Sequence, residues 1–279
     1  MRLGAHVFPK TDDPQELAAL LAAKGYRAGY CPMDVTSRDT DKLRDIRMAF
    51  ENEDIIIAEV GAWCNPHCGT EAEKKERIDY IIDRLAVAEE LHARCCVNVI
   101  GTLGEGDASV PENYSQDFFN ATVDLARYIV GQVNPVHTKL AFEVTPFTFL
   151  DGADGYERLI KAIDHPGVAV HLDPINCIFT PIDYHQSGKV FRYTIQKLAP
   201  FGICSVHLKD LYLQPALANV RIDEVVIGTG GMDYRTLLTE LNKLPDDTPA
   251  MLEHLENDAQ YDQAAAAVRK VAGELGIAL

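Results

Sequence analysis

The sequence predicts a single (β/α)8 TIM barrel, an α/β fold spanning residues 1–279 as one domain. Three observations predict it. Eight short apolar runs recur along the chain, and near-continuous runs of this kind are what parallel strands covered on both faces look like. Helical patterns separate them, as a parallel sheet requires. No Gly-x-Gly-x-x-Gly follows the first run, so the open dinucleotide-binding sheet lacks its usual signature.

The runs cover residues 2–8, 26–31, 55–61, 94–100, 139–144, 168–173, 203–208 and 250–254. The first helix is well signalled. Asp12 or Asp13 can cap it, Pro14 suits its first turn and Gly25 ends it. The longest helix, from residue 71 to about residue 93, carries charges outward. Ile78, Ile81, Leu85, Ala88 and Leu91 lie inward at helical spacing. The last, residues 260–275, is alanine-rich and closes the ring. Connections after strands, at 101–115, 174–186 and 209–231, are longer than those before strands. In this fold that end carries the active site.

Composition narrows the function classes. The 47% hydrophobic content can fill a sizeable core, and the net charge of −16 opposes a phosphate backbone. The densest basic run, Lys74, Lys75 and Arg77, is interleaved with Glu73 and Glu76, so no nucleic-acid partner is expected. Seven cysteines without disulfide-like spacing favour a reducing compartment. No basic start followed by an apolar stretch is visible, and no run approaches the roughly 20 residues that span a membrane. The expectation is a cytoplasmic protein without a membrane partner, a homo-oligomer remaining open.

Four residues at the ends of the last four strands carry the chemistry: Glu143 in KLAFEV, Asp173 in VAVHLD, His207 in ICSVHL and Glu253 in AMLEHL. Parallel strands bring these ends to one mouth. Three carboxylates crowded there repel one another unless a cation joins them. An oxygen-rich set with one nitrogen and no thiolate fits one divalent ion, Mn²⁺ first, with Mg²⁺, Co²⁺ or Zn²⁺ as alternatives. Alternation along the strands places His171 with Asp173, Ala141 with Glu143, Ser205 and Lys209 with His207, and Met251 with Glu253. His6, Trp63, Asn98 and Asn176 are candidate substrate contacts, and so is Lys209. The alternative for Lys209 is an ion pair with a carboxylate such as Glu59. Cys64, His67 and Cys68 in CNPHC form a rival, zinc-like cluster with no evident fourth ligand. Gly228, Gly230 and Gly231 either cradle a phosphate or form a turn before a helix capped by Asp233.

The Glu…Asp…His…Glu pattern, with HLDPIN, SVHLKD, GTGGMDY and LEHL, resembles the sugar phosphate isomerase/epimerase superfamily of xylose isomerase-like TIM barrels. The resemblance spans the chain. It implies that Glu143, Asp173, His207 and Glu253 bind one divalent ion, and that Glu143 and Glu253 act as acid and base on a small carbohydrate. It implies a sugar isomerase or epimerase working through an enediolate. Metal-dependent elimination from a 3-keto glycoside uses the same proton abstraction and is the alternative. A non-catalytic sugar-binding barrel is a further one. Three departures separate the chain from ketose 3-epimerases of that superfamily. Asn176 stands where they carry histidine, Leu213 stands near where they carry arginine, and VTPFTF follows Glu143 in place of their asparagine–arginine–glutamate signature. Asn176 also removes a histidine that the superfamily's DNA-repair nucleases use.

Overall fold

The computed structural model describes residues 1–8, 11–32, 35–215 and 219–279. The first half of the chain runs β1 (Arg2–Ala5), α1 (Pro14–Ala23), β2 (Ala28–Tyr30), α2 (Thr40–Asn52), β3 (Ile56–Gly61), α3 (Glu71–Glu90), β4 (Cys95–Val99) and α4 (Gln116–Val133). The second continues with β5 (Leu140–Glu143), α5 (Ala153–Ile163), β6 (Val170–Leu172), α6 (Pro181–His185), α7 (Ser187–Leu198) and β7 (Ile203–Leu208). It ends with β8 (Asp210–Leu213), β9 (Ile222–Val225), α8 (Tyr234–Leu241), β10 (Pro249–Leu252) and α9 (Asp258–Leu275).

Eight parallel strands form one sheet in the order β5-β4-β3-β2-β1-β10-β7-β6. Its two edges meet where Leu140 bridges Val168 in parallel, so the sheet curls into a nearly closed barrel. The backbone N–H of Leu140 donates to Gly167 O at 2.8 Å, and that of Ala169 donates to Leu140 O at 3.1 Å. The main apolar core lies between the strands and the helices, with Ile81, Leu85, Ala88, Phe118, Leu159 and Phe191 packed against outward strand residues such as Val60 and Leu172. Burying each large apolar side chain stabilises by about 1.5–3 kcal/mol. Ala28, Ala58 and Met251 form one interior cluster; Cys95, Val97 and Ala141 form another.

Two irregularities decide what faces the interior. The β2–β3 register moves from Gly29↔Ile57 to Tyr30↔Glu59, leaving Ala58 without a partner on β2. The β6–β7 register moves from Val170↔Ile203 to His171↔Ser205, skipping Cys204. Each is a bulge, and a bulge turns the next side chain to the other face.

Helix signals act as the sequence predicts. The Asp13 carboxylate accepts from Gln15 N and Glu16 N, Pro14 opens α1, and Gly25 turns the chain at φ 71°. Two features differ. Arg84, on the helix expected to hold charges outward, is buried on α3. Its guanidinium is satisfied by main-chain oxygens, donating to Gly61 O at 3.0 Å and Val35 O at 2.8 Å. The connection expected over 209–231 folds partly into an antiparallel hairpin, β8 against β9. Residues 216–218 of it lie outside the described residues.

Candidate functional site

The ends of β5, β6, β7 and β10 bring four side chains together at the C-terminal mouth. Ligand atoms of Glu143, Asp173, His207 and Glu253 all lie within 4.8 Å of one another. Glu143 ends β5, and its Oε1 accepts from Asn176 Nδ2 at 2.9 Å. Asp173 follows β6. Its Oδ1 accepts from the backbone N–H of Ile175 at 3.0 Å and of Asn176 at 3.2 Å, which aims Oδ2 at the centre. His207 Nδ1 lies 2.9 Å from Glu253 Oε2, 3.7 Å from Glu143 Oε1 and 3.9 Å from Asp173 Oδ2.

Lys209 enters the same centre. Its Nζ lies 2.8 Å from Asp173 Oδ2, 2.8 Å from Glu253 Oε2 and 3.6 Å from Glu143 Oε1. The sequence offered Glu59 as its ion-pair partner; the structure pairs it with the carboxylates of the mouth. Alternation is the reason, since Ser205, His207 and Lys209 all point inward. Burial opposes the charge on Lys209, but Asp173, Glu253 and Glu143 outweigh it and hold its pKa above the ordinary value. Burial likewise opposes a charge on His207, and Glu59 and Glu253 outweigh it.

The donor set fits a divalent ion. Asp173 Oδ2 and Glu253 Oε2 are buried and make no hydrogen bond of good geometry, although Lys209 Nζ approaches both. Acceptors so placed are what a hard or borderline cation takes.

Behind His207 lies a second buried group that the sequence reading did not assign to the site. Glu59 Oε2 sits 3.1 Å from His207 Nε2, Ser205 Oγ donates to Glu59 Oε1, and His171 Nδ1 is 3.6 Å from the same oxygen. Burial and the neighbouring His207 push the His171 pKa down to about 4. A glutamate in an apolar strand was the available signal. The bulge that turns it inward leaves no mark in the sequence.

The other candidate contacts divide into two groups. His6 and Trp63 line the mouth. The His6 ring stacks on Tyr30 with centroids 4.0 Å apart and keeps an accessible edge. Trp63 is 41% exposed, and its ring centroid lies 6.5 Å from that of His207. Its indole folds back over Gly61, where a Cβ would meet Nε1 at 2.5 Å. Asn98 and Asn176 make hydrogen bonds within the protein. Asn98 Oδ1 accepts from Cys64 N at 3.0 Å, fixing the chain after β3. Asn176 Nδ2 holds Glu143 and also donates to Val144 O at 3.2 Å.

Two rival features resolve structurally. Among the described residues, Cys64, His67 and Cys68 form no group with metal-ligating reach. His67 instead packs edge-on against Phe118, with centroids 4.9 Å apart. The amides of the glycine turn are taken by Asp210, which accepts from Gly228 N at 2.9 Å, Gly230 N at 3.0 Å and Met232 N at 3.2 Å. Asp233 then caps α8, accepting from Thr236 N at 3.0 Å.

Cys64, Cys68, Cys95, Cys96, Cys177 and Cys204 are free thiols. Among the described residues, no helix is long and apolar enough to cross a membrane.

Solved structures share this architecture at low identity. A xylose isomerase-like TIM barrel protein from Mycobacterium smegmatis, in complex with magnesium, superposes with a TM-score of 0.67 at 14% identity, over 98% of this chain and 97% of that one. D-psicose 3-epimerase from Clostridium cellulolyticum H10, solved with D-tagatose, gives 0.71 at 12% identity over 100% of both chains. The 3-keto-D-glucoside 4-epimerase from E. coli gives 0.69 at 13% identity over 97% of this chain and 99% of that one. At such identity these likenesses speak for the fold. No curated protein matches the chain in sequence. The family pattern of the xylose isomerase-like TIM barrel, however, matches residues 13–271, nearly the whole barrel including all four strand-end residues, and the chain belongs to that family.

Proposed function

We propose that this protein is a divalent-metal-dependent carbohydrate isomerase or epimerase that moves a proton beside a carbonyl group. The carrying observation is the convergence of Glu143, Asp173, His207 and Glu253 within 4.8 Å at the barrel mouth. Those four residues would hold the cation, Mn²⁺ in first place, with Mg²⁺, Co²⁺ or Zn²⁺ serving the same donors. When bound, it supplies Lewis-acid polarisation of the substrate oxygens. Glu143 and Glu253 reach the centre from different walls. One takes the proton from carbon, and the other returns it from the second face for epimerisation. A single carboxylate acting alone serves aldose–ketose isomerisation. The Lys209 ammonium, 2.8 Å from two of the carboxylates, is placed to stabilise negative charge developing on the substrate oxygen.

The substrate is read as a neutral sugar. Three carboxylates face Lys209 and His207 at the mouth, and the glycine turn that could have cradled a phosphate is occupied by Asp210. His6 and Trp63 wall the sugar, while Asn98 and Asn176 support the site from behind. Likeness to proteins named as a ketose 3-epimerase and a 3-keto-glucoside 4-epimerase supports the substrate class.

The test is proton exchange in heavy water over a panel of free ketoses, aldoses and 3-keto glycosides, with the protein loaded with Mn²⁺. Deuterium entering one carbon beside the carbonyl, lost on chelation, is the expected result. Exchange followed by release of an aglycone moves the assignment to the lyase. No exchange with any member, from protein that binds the ion, leaves the sugar-binding barrel.

A further inference from the structure

We infer that Glu59 is a positioning residue that presents His207 to a cation; this rests on the metal-site reading above. Glu59 lies on β3, across the barrel from β7, and is 1% exposed. A carboxylate buried this deeply is costly unless it is paired and hydrogen-bonded. Leucine or methionine would fill a similar volume without that cost. Here every contact is specific. His207 Nε2 lies 3.1 Å from Oε2, Ser205 Oγ donates to Oε1, and His171 Nδ1 stands 3.6 Å from Oε1. The bulge at Ala58 is what brings the side chain inward, because Ile56 and Ala58 already face the same interior.

The chemistry follows from what a carboxylate can do. Ionised, it only accepts hydrogen bonds. Glu59 therefore holds a proton on His207 Nε2, and Nδ1, which faces Glu143, Asp173 and Glu253 and lies 3.3 Å from His171 Nε2, is the nitrogen that would give up its proton to a cation. A ligating histidine whose other nitrogen donates to a carboxylate is held in one tautomer and one ring orientation, and it becomes a stronger donor to the ion. Glu59 touches neither the centre formed by the quartet nor the space a substrate would occupy. It acts through His207.

The test is calorimetric titration of metal-free protein with Mn²⁺, together with proton NMR of the Co²⁺-loaded form. Wild type is expected to take up one equivalent. Its Co²⁺ form should show a hyperfine-shifted N–H signal from His207 Nε2 that exchanges slowly with solvent. Glu59→Leu should still bind one equivalent, about 10- to 100-fold more weakly, with that signal broadened or lost. Glu59→Gln keeps an acceptor without the charge, so its affinity should fall between the two. It carries the test if Glu59→Leu fails to fold. Affinity and N–H signal unchanged in both variants would overturn the inference while leaving the metal site standing. Two equivalents in wild type, one of them lost with Glu59→Leu, would also overturn it, making Glu59 a ligand of a second ion with His171 and His207. Should wild type bind no ion, with Glu253→Gln indistinguishable from it, the metal-site reading fails and this inference falls with it.

Discussion

From β5 onward the chain supplies every donor of the candidate centre: Glu143, Asp173, His207 and Glu253, with Lys209 among them. Up to β4 it supplies the surroundings. Glu59 backs His207, Tyr30 stacks under His6, and Trp63 leans over Gly61. Arg84 ties α3 to the main chain at Gly61 and Val35. The two halves share one barrel and one helix–strand rhythm. On the proposed function, chemistry and enclosure fall to different halves. Substitutions in the second half should therefore strike turnover and ion binding, and those in the first should strike substrate affinity, orientation and access, with Glu59 reaching the ion through His207.

The largest expected effect tests the second half directly. Glu143→Gln and Glu253→Gln keep shape but remove a base. Each should lower turnover by roughly two to four orders of magnitude, the usual scale for general acid–base catalysis. One variant can still exchange deuterium into substrate without forming product, since only the return face is lost. Steady-state rates with metal content measured on the same samples check this. If both variants hold metal and turn over almost normally, the two-carboxylate mechanism is wrong.

Lys209 gives the next effect, with a sign that separates two roles. Its ammonium lies 2.8 Å from Asp173 Oδ2 and Glu253 Oε2, the oxygens a cation would need. Like charges in one site oppose each other. Lys209→Met should therefore tighten Mn²⁺ binding at least tenfold by titration calorimetry, while turnover falls. Weaker binding in this variant would mean that Lys209 organises the carboxylates for the ion and does not compete with it.

The same division explains what could be read in the sequence. Asp173 and Glu253 each close an apolar run, where a carboxylate has little reason to be unless the strand end faces something. The N-terminal helix signals around Asp13, Pro14 and Gly25 are local chemistry and needed no tertiary information. Glu59 was visible only as a possible partner for Lys209, because its direction depends on an unpaired Ala58 between β2 and β3. Arg84 looked like one more outward charge on α3; main-chain carbonyls from two other segments make its burial tolerable. Asp210 is a third case. Nothing near it in sequence says that its carboxylate will take the amides of Gly228, Gly230 and Met232, some twenty residues later. Signals carried by one segment were legible, and those requiring two segments at a set distance were not.

The smallest expected effect belongs to the first half and is sharpened by composition. Trp63 is the chain's single tryptophan, so tryptophan emission excited beyond the tyrosine absorption band reports this mouth alone. Its ring lies 6.5 Å from His207, close enough for Co²⁺ held by the quartet to quench it. The ring keeps its place because residue 61 has no side chain: a Cβ there would sit 2.5 Å from the indole Nε1 and 2.9 Å from Cδ1. Gly61 does not have the positive φ that would penalise alanine. Gly61→Ala is therefore expected to move the indole and leave the strand intact. Co²⁺ affinity should stay within about twofold of wild type, since no donor is touched. Quenching by Co²⁺ should weaken, and KM for the sugar should rise about three- to tenfold with kcat little changed, a loss of binding shared by ground and transition states. Trp63→Phe, which removes the indole but keeps a ring, should recover part of that loss when combined with Gly61→Ala. If Gly61→Ala lowers kcat as strongly as the glutamate substitutions do, the wall takes part in the chemistry, and the separation between the two halves does not hold.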